Sequence, residues 1–168
     1  MPAGSTYTPI ATTTLGSGAS SITFSSISGS YTDLVVICSV LPSTANTFNL
    51  RVGNGSIDTG TNYSYTRIYG TGSSGSSDRG SNTANPWGNW GVSAQANTPL
   101  SFITHIQNYS NTTTNKTYIT RVDDAYTSYT GAIVTLWRST SAINTVSLVS
   151  NANMNAGTSV TLYGIASA

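Results

Sequence analysis

Few side chains in this sequence could carry out acid–base chemistry. The 168 residues include one histidine, His105, no glutamate and five aspartates. His105 alternates with apolar residues in a strand-like run, and spacing identifies neither a nucleophile nor an orienting acid for it. A hydrogen-bonded or surface histidine is therefore favoured over a catalytic base.

The adjacent carboxylates Asp123 and Asp124 could contribute to a calcium site. Neighbouring side chains of an extended chain point to opposite sides, however, and the sequence has no Asp-x-Asp-x-Asp-Gly loop. A solvated turn is favoured, and no metal or other cofactor is expected. A polysaccharide hydrolase needs paired carboxylates, which five aspartates hardly supply. We predict a protein that is not an enzyme.

Two further segments could be reactive or bind ligands. Cys38 has no cation beside it to stabilise a thiolate, so it is interpreted as a small buried hydrophobic residue. Residues 70–90 are rich in Gly and Ser but lack the Lys-Ser/Thr ending of a phosphate loop, which predicts an exposed loop. At the end of that loop, Trp87 and Trp90 leave three roles open: a sugar-stacking platform, a protein interface and a cap on the domain.

Short strands must position all of these residues. Apolar or alternating runs recur with Gly, Asn, Ser and Asp between them, and no 12-residue window shows the spacing and caps of a helix. A turn over residues 108–115 is expected to be the tip of a hairpin. The predicted strands cover residues 21–24, 34–40, 48–52, 63–69, 102–106, 117–122, 132–137, 146–149 and 160–165.

This pattern predicts an all-β fold, an antiparallel β-sandwich with jelly-roll or Greek-key connections. Residues 1–20, with two prolines and little apolar content, are expected to form an extended N-terminal arm, and residues 21–168 a single sandwich domain. Alternation assigns ten residues to the core: Leu34, Val36, Cys38, Phe48, Leu50, Phe102, Val134, Leu136, Leu148 and Leu162.

Charge and hydropathy limit the partners. The formal net charge is +1 and the six basic residues are scattered, so no nucleic-acid partner is expected. No apolar run approaches the roughly 20 residues that cross a bilayer. The N-terminus lacks the features of a secretory signal, which predicts a protein made in the cytoplasm and not bound to a membrane. Low charge also lets many copies pack closely together.

Six blocks of the sequence form a recognisable pattern. They are Thr14-Leu-Gly-Ser17, residues 22–36, Asn62-Tyr-Ser-Tyr-Thr-Arg-Ile-Tyr-Gly70, residues 108–113 with Lys116-Thr117, Trp137-Arg-Ser-Thr140 and Thr161-Leu-Tyr-Gly-Ile165. These blocks resemble a group of small virion proteins of tailed phages, including cyanophages. The resemblance covers most of the chain in order, although residues 86–90 are not part of the pattern.

The resemblance implies a β-sandwich on the exterior of a phage particle, assembled in the host cytoplasm. The favoured function is a capsid decoration (cement) protein that binds the major capsid protein and itself, as a homotrimer. The alternative is a tail-fibre or head-fibre module that recognises host-surface glycans. No catalytic residue is carried over. The candidate interface residues are Tyr7, Ile10, Leu15, Trp87, Trp90, Tyr126, Tyr129 and Trp137.

Overall fold

The computed structural model describes residues 6–88, 90–92, 98–124, 126 and 128–166. These residues form thirteen β-strands and no helix. The strands are β1 (Tyr7–Thr14), β2 (Ala19–Phe24), β3 (Asp33–Val40), β4 (Asn46–Asn54), β5 (Ser56–Ile57), β6 (Tyr63–Gly70), β7 (Gly75–Thr83), β8 (Trp90–Val92), β9 (Leu100–Ile106), β10 (Lys116–Asp124), β11 (Tyr129–Trp137), β12 (Thr145–Met154) and β13 (Ser159–Ile165).

The strands make two antiparallel sheets of unequal width, so the predicted all-β sandwich is confirmed. The large sheet has eight strands in the order β1-β13-β3-β9-β10-β11-β6-β7. The small sheet has five strands in the order β2-β12-β4-β5, with β8 also paired to β4. Because β5 pairs with residues 53–54 and β8 with residues 46–48, they occupy opposite ends of the same β4 edge.

Consecutive strands repeatedly change sheets. The pairs β1 and β2, β3 and β4, β8 and β9, and β12 and β13 each have one member in the large sheet and one in the small sheet. Chain neighbours therefore face each other across the core, and their inward side chains fill it. The jelly-roll or Greek-key connections stay a prediction.

The core lies between the sheets, where side chains of alternate residues point inward. Phe102 of β9 in the large sheet packs across the core against Phe48 of β4 in the small sheet, with ring centroids 5.4 Å apart. A buried hydrogen bond of 2.8 Å joins the hydroxyls of Thr104 and Thr120 on neighbouring strands. Eight of the ten predicted core residues are buried: Leu34, Val36, Cys38, Phe48, Leu50, Phe102, Leu148 and Leu162.

The other two predicted core residues, Val134 and Leu136, lie on the wrong face. In β11 the buried positions are Ile133, Thr135 and Trp137, whereas Val134 is 50% exposed. The run Ala-Ile-Val-Thr-Leu-Trp is apolar at nearly every position. Alternation alone could not choose between its two faces.

The nine predicted strands are all present, and the hairpin tip over residues 108–115 joins β9 to β10 as expected. The exposed loop predicted over residues 70–90 is wrong in its middle, because Gly75–Thr83 forms β7. β7 pairs with β6 along its length and carries mainly Ser and Gly at exposed positions. Backbone hydrogen bonds to β6 hold this edge strand, and they leave no hydrophobic signature in the sequence.

The predicted N-terminal arm is extended but is not separate from the sandwich. Tyr7–Thr14 form β1, which pairs with β13 at the edge of the large sheet. The register shifts at Pro9, which has no N–H to donate to a ladder. Ile10 and Leu15 are half-buried against the core. Residues 1–5 lie outside the described chain.

The segment after β7 closes one side of the sandwich. Trp87 is completely buried and packs on Phe102, with ring centroids 5.1 Å apart. Its backbone N–H donates to Asn49 Oδ1 on β4 over 2.9 Å, and Thr135 Oγ1 on β11 donates to Pro86 O over 2.8 Å. Residues 86–87 thus connect the small sheet to the large one.

Neighbouring substitutions on β11 test this register. Ile133→Ala should lower the free energy of unfolding by about 2–5 kcal/mol, because it removes a fully buried side chain and leaves a cavity. Val134→Ala should lower it by less than about 1 kcal/mol, because that side chain is half in water. Urea unfolding of both variants measures the difference. Equal losses would contradict the assigned faces.

Candidate interaction face

The two outer surfaces of the sandwich differ in chemistry. The outer side of the small sheet is polar: Thr23 and Ser147 share a hydroxyl hydrogen bond of 2.7 Å, and Asn49 and Arg51 follow on β4. An antiparallel sheet with one face in water normally looks like this. The outer side of the large sheet does not.

Two cross-strand rows run over seven strands on the outer side of the large sheet. The first row is Thr161, Ile37, Ile103, Arg121, Ala132, Ile68 and Ser77. The second row is Tyr163, Val35, His105, Ile119, Val134, Thr66 and Arg79. We call this surface the apolar face and define it by Ile37, Ile68, Ile103, Ile119, Ala132 and Val134.

The apolar face is open to solvent. Ile68 is 62% exposed, and Ile37, Ile119 and Val134 are each at least 40% exposed. The two rows cross seven strands about 4.8 Å apart and together take up about four residues of each strand, so they cover roughly 450 Å². Exposed patches of a few hundred Å² with a large apolar share mark interaction sites on soluble proteins.

A shallow hollow of about 490 Å³ lies at one end of the apolar face. Ile68 and Ala132 line the hollow, and Gly70, Gly75 and Gly131 have no side chains that would fill it. An apolar side chain of a partner would fit such a hollow, as anchor residues do at the centre of interfaces.

The charged groups on this side are few. Arg121 lies between Ile103 and Ala132 in the first row, and Arg79 ends the second. Asp123 accepts a hydrogen bond of 3.1 Å from the Ser101 N–H. The other basic side chains are held by contacts within the chain.

Four of the six basic residues are held by such internal contacts. Arg67 forms a two-pronged ion pair with Asp78, with both N–O distances 2.6 Å. Arg51 Nε donates to Ala84 O, and Arg138 Nη2 donates to Thr61 O. The Lys116 ammonium donates to Thr114 O over 2.7 Å and to Thr140 O over 3.2 Å. Burial lowers the pKa of Lys116 below its usual 10.5.

His105 lies on the same outer side and is hydrogen-bonded, as favoured from the sequence. Its Nε2 is 2.8 Å from Asp33 Oδ2, and Asp33 Oδ1 accepts the Asn108 N–H over 2.8 Å. The pair therefore ties β9 to β3 and to the hairpin tip. Within the described residues, no hydroxyl or thiol hydrogen-bonds to the imidazole to serve as a nucleophile.

The two carboxylates considered for a metal site point to opposite sides, as expected. Asp123 is exposed, whereas Asp124 is buried at the end of β10 and accepts the Tyr126 N–H over 3.1 Å, so the solvated turn favoured from the sequence is wrong for Asp124. Among the residues that the structure describes, no three His, Cys, Asp or Glu side chains come together as metal ligands. Cys38 is buried, which raises the pKa of its thiol to about 12 and confirms the interpretation as a hydrophobic residue.

Two of the predicted interface residues are wrong because they belong to the core. Trp87 is fully buried, as described above, and Trp137 is 3% exposed. Trp137 Nε1 donates to Asp58 Oδ2 over 2.8 Å. Large aromatic side chains bury more apolar area than any others, so placing the tryptophans inside stabilises the core most.

The remaining candidates lie near the surface but not together. Tyr7 and Tyr126 are more than half exposed, and Tyr129 stacks on Tyr69 with centroids 5.4 Å apart. Ile10 and Leu15 are half-buried. Trp90 belongs to β8, but its side chain lies outside the described part of the structure.

Sequence reasoning missed the apolar face, although one signal for it was present. In β10, placing Tyr118 and Val122 inside leaves Ile119 outside. The same test on β3, with Val36 and Cys38 inside, leaves Ile37 outside. Apolar residues on both faces of neighbouring strands would have indicated the surface.

No protein-family model, curated protein sequence or solved structure matches this chain. In the described ranges, no helix is long and apolar enough to span a membrane.

The carboxylate of Asp58 should control stability in acid. Partial burial raises its pKa, but hydrogen bonds from Trp137, Asn62 and the Gly60 N–H, with the charge of Arg51, lower it by more, so the net pKa lies below 3.8. A lowered pKa stabilises the fold above the unfolded value, and this stabilisation is lost as the pH falls through the folded value. Asp58→Asn should therefore flatten the loss of stability below about pH 4.

Urea unfolding of both proteins between pH 7 and about pH 3 measures this effect. Asp123→Asn is the control, because it also removes one carboxylate but keeps the Oδ1 that accepts the Ser101 N–H. If Asp58→Asn kept the wild-type acid dependence, the hydrogen bonds to Asp58 would not be responsible for it.

Proposed function

We propose that this chain is a non-enzymatic structural protein of a tailed-phage particle, a capsid decoration protein that reinforces the lattice of the major capsid protein. The apolar face is the observation that carries the proposal. The resemblance of the sequence blocks to small virion proteins supplies the kind of particle. The apolar face supplies the means of attachment.

An exposed apolar surface of this size favours a partner. On a sheet face that meets water, the outward side chains are normally polar. Contiguous apolar patches of several hundred Å² mark interaction sites on soluble proteins. Here Ile68, Ile119 and Val134 are exposed where Ser or Thr would serve a solvated sheet. Their burial against a lattice would stabilise the complex, because it would remove apolar surface from contact with water.

The charges of the face define the partner further. Arg121 lies in the middle of the first row and Arg79 ends the second, whereas His105 is already paired with Asp33. The complementary surface on the capsid protein is therefore apolar, with neutral or acidic groups opposite Arg121 and Arg79. A side chain such as Leu or Phe from that surface would occupy the hollow beside Ile68.

We further propose that the protein decorates the capsid as a homotrimer, since capsid lattices offer three-fold and quasi-three-fold positions. Tyr7 and Tyr126, each more than half exposed, are the candidates for contacts between copies. A formal net charge of +1 lets such copies approach without strong repulsion.

Recognition of host glycans by a fibre module is the second candidate. Tyr126 is exposed three residues before Tyr129, which stacks on Tyr69, and exposed tyrosines stack on sugar rings. The burial of Trp87 removes one residue that had suggested this role. Copy number separates the candidates, because decoration follows the number of lattice positions and fibres are far fewer.

Removing the apolar side chains should abolish attachment without unfolding the protein. In the triple variant Ile68→Thr, Ile119→Thr and Val134→Thr, β-branched residues are kept, so each exposed substitution should change stability by only about 0.5 kcal/mol. We expect the variant to stay in the supernatant when bare capsids are sedimented. We also expect decorated capsids to release their DNA at a higher temperature than bare ones, and the variant to give no such protection.

Val149→Thr is the matched control, because Val149 lies on the polar outer side of the small sheet. It should bind capsids like the wild type. Binding of the triple variant at wild-type levels would refute the apolar face as the contact. Equal release temperatures for bare and decorated capsids, together with a fibre-like copy number, would favour the glycan-binding candidate instead.

A further inference from the structure

The chain contains one Asn-Gly dipeptide, Asn54-Gly55, in the turn between β4 and β5. Gly55 has a φ of 77°, a value that favours glycine, and Asn54 is exposed. The turn is short because residues 53 and 54 pair with residues 57 and 56.

An Asn-Gly dipeptide can modify itself. The deprotonated backbone nitrogen of Gly55 would attack Cγ of Asn54 and form a new C–N bond, and the side-chain amide would leave as ammonia. Water then opens the resulting five-membered succinimide to Asp or to isoaspartate. The reaction requires a free Gly55 N–H and an Asn54 side chain that can rotate over it.

In the folded protein both reacting groups are held by the segment that precedes β12. The Gly55 N–H donates to Asn144 Oδ1 over 2.6 Å. The Asn54 Nδ2 donates to Ala142 O over 2.7 Å. The attacking nitrogen and the leaving amide are thus each tied to a different residue of the same segment.

Asn144 is itself fixed in place. Its backbone N–H donates to Gly53 O over 3.0 Å, and its carbonyl accepts the Ile27 N–H over 3.0 Å. Its Oδ1 also accepts a hydrogen bond of 3.1 Å from Thr145 Oγ1. The acceptor for the Gly55 N–H is therefore positioned by three other contacts.

We propose that Asn54 is a deamidation site that Asn144 keeps unreactive in the folded protein. Loss of the Asn144 contacts opens the site. Reaction would place a negative charge in the turn and, in the isoaspartate form, an extra backbone carbon, which is incompatible with the pairing of Asn54 and Ser56. This inference does not depend on the proposed function, since it concerns only the turn and the segment that holds it.

Asn144→Ala tests the proposal. Folded wild type and variant are incubated at mildly alkaline pH, and the peptide that contains Asn54 is analysed by mass spectrometry for replacement of the amide by a carboxyl group. We expect the variant to react about five- to tenfold faster, the factor that corresponds to one hydrogen bond. Urea-unfolded wild type gives the rate of the open site.

Asn46→Ala is the matched control, because the Asn46 side chain also connects β4 with the β12 part of the chain, at the other end of the strand. Its Asn54 should react at the wild-type rate. Asn144→Asp keeps an acceptor for the Gly55 N–H and should stay protected. If Asn144→Ala did not fold, hydrogen exchange of the Gly55 N–H in the wild type would be measured instead. We expect that exchange to be slow. Equal rates in Asn144→Ala and wild type, equal rates in both Ala variants, or fast exchange at Gly55 would overturn the proposal.

Discussion

The large sheet is wider than the small one, and the rest of the structure follows from this mismatch. Eight strands cannot be covered by five, so inward side chains of β6 and β7 need other partners. Residues 84–88 provide them: Trp87 fills the core beside Phe102, and Arg67 Nη1 donates to the carbonyls of Trp87 and Gly88. The Tyr65 ring lies so close to Gly80 and Gly88 that a Cβ at either position would come within 2.4 Å of it. The absence of side chains at these two positions is what lets the segment close over the sheet.

The few charged side chains of the protein also hold irregular segments in place. Arg67 lies between the rings of Tyr65 and Tyr69, at 5.6 and 5.5 Å from their centroids, while its guanidinium binds Asp78. Planar, bidentate contacts of this kind fix orientation as well as distance. Asp58 similarly accepts the Gly60 N–H in a turn, and the Lys116 ammonium donates to the carbonyl of Thr114 in a loop. A chain with 7% charged residues thereby keeps few charges for its surface, which leaves the outer side of the large sheet available for apolar side chains.

Much of the fold could be predicted from the sequence, because most strands have one polar face and are bounded by turn residues. The buried side of β10 follows directly from Tyr118, Thr120 and Val122. Prediction failed for β7, whose Ser and Gly residues are held by pairing with β6 alone. It failed also for β11, where Ile133 and Val134 offer equally apolar choices for the core. The candidate face was missed for the reason that β11 was misassigned: a strand that is apolar on both sides has no alternation to interpret.

A surface of this kind constrains how the protein can exist. Exposed β-branched residues on a sheet would lead free copies to associate through the same patch, and a net charge of +1 gives little repulsion to prevent it. One edge of the large sheet is protected against further strand pairing by Pro9 and its register shift in β1. The apolar face has little such protection, because Arg79 and Arg121 are the two arginines among the fourteen residues of its rows. Edge protection without protection of the face suits a protein that must avoid extending its sheet but must bury one broad surface against a partner.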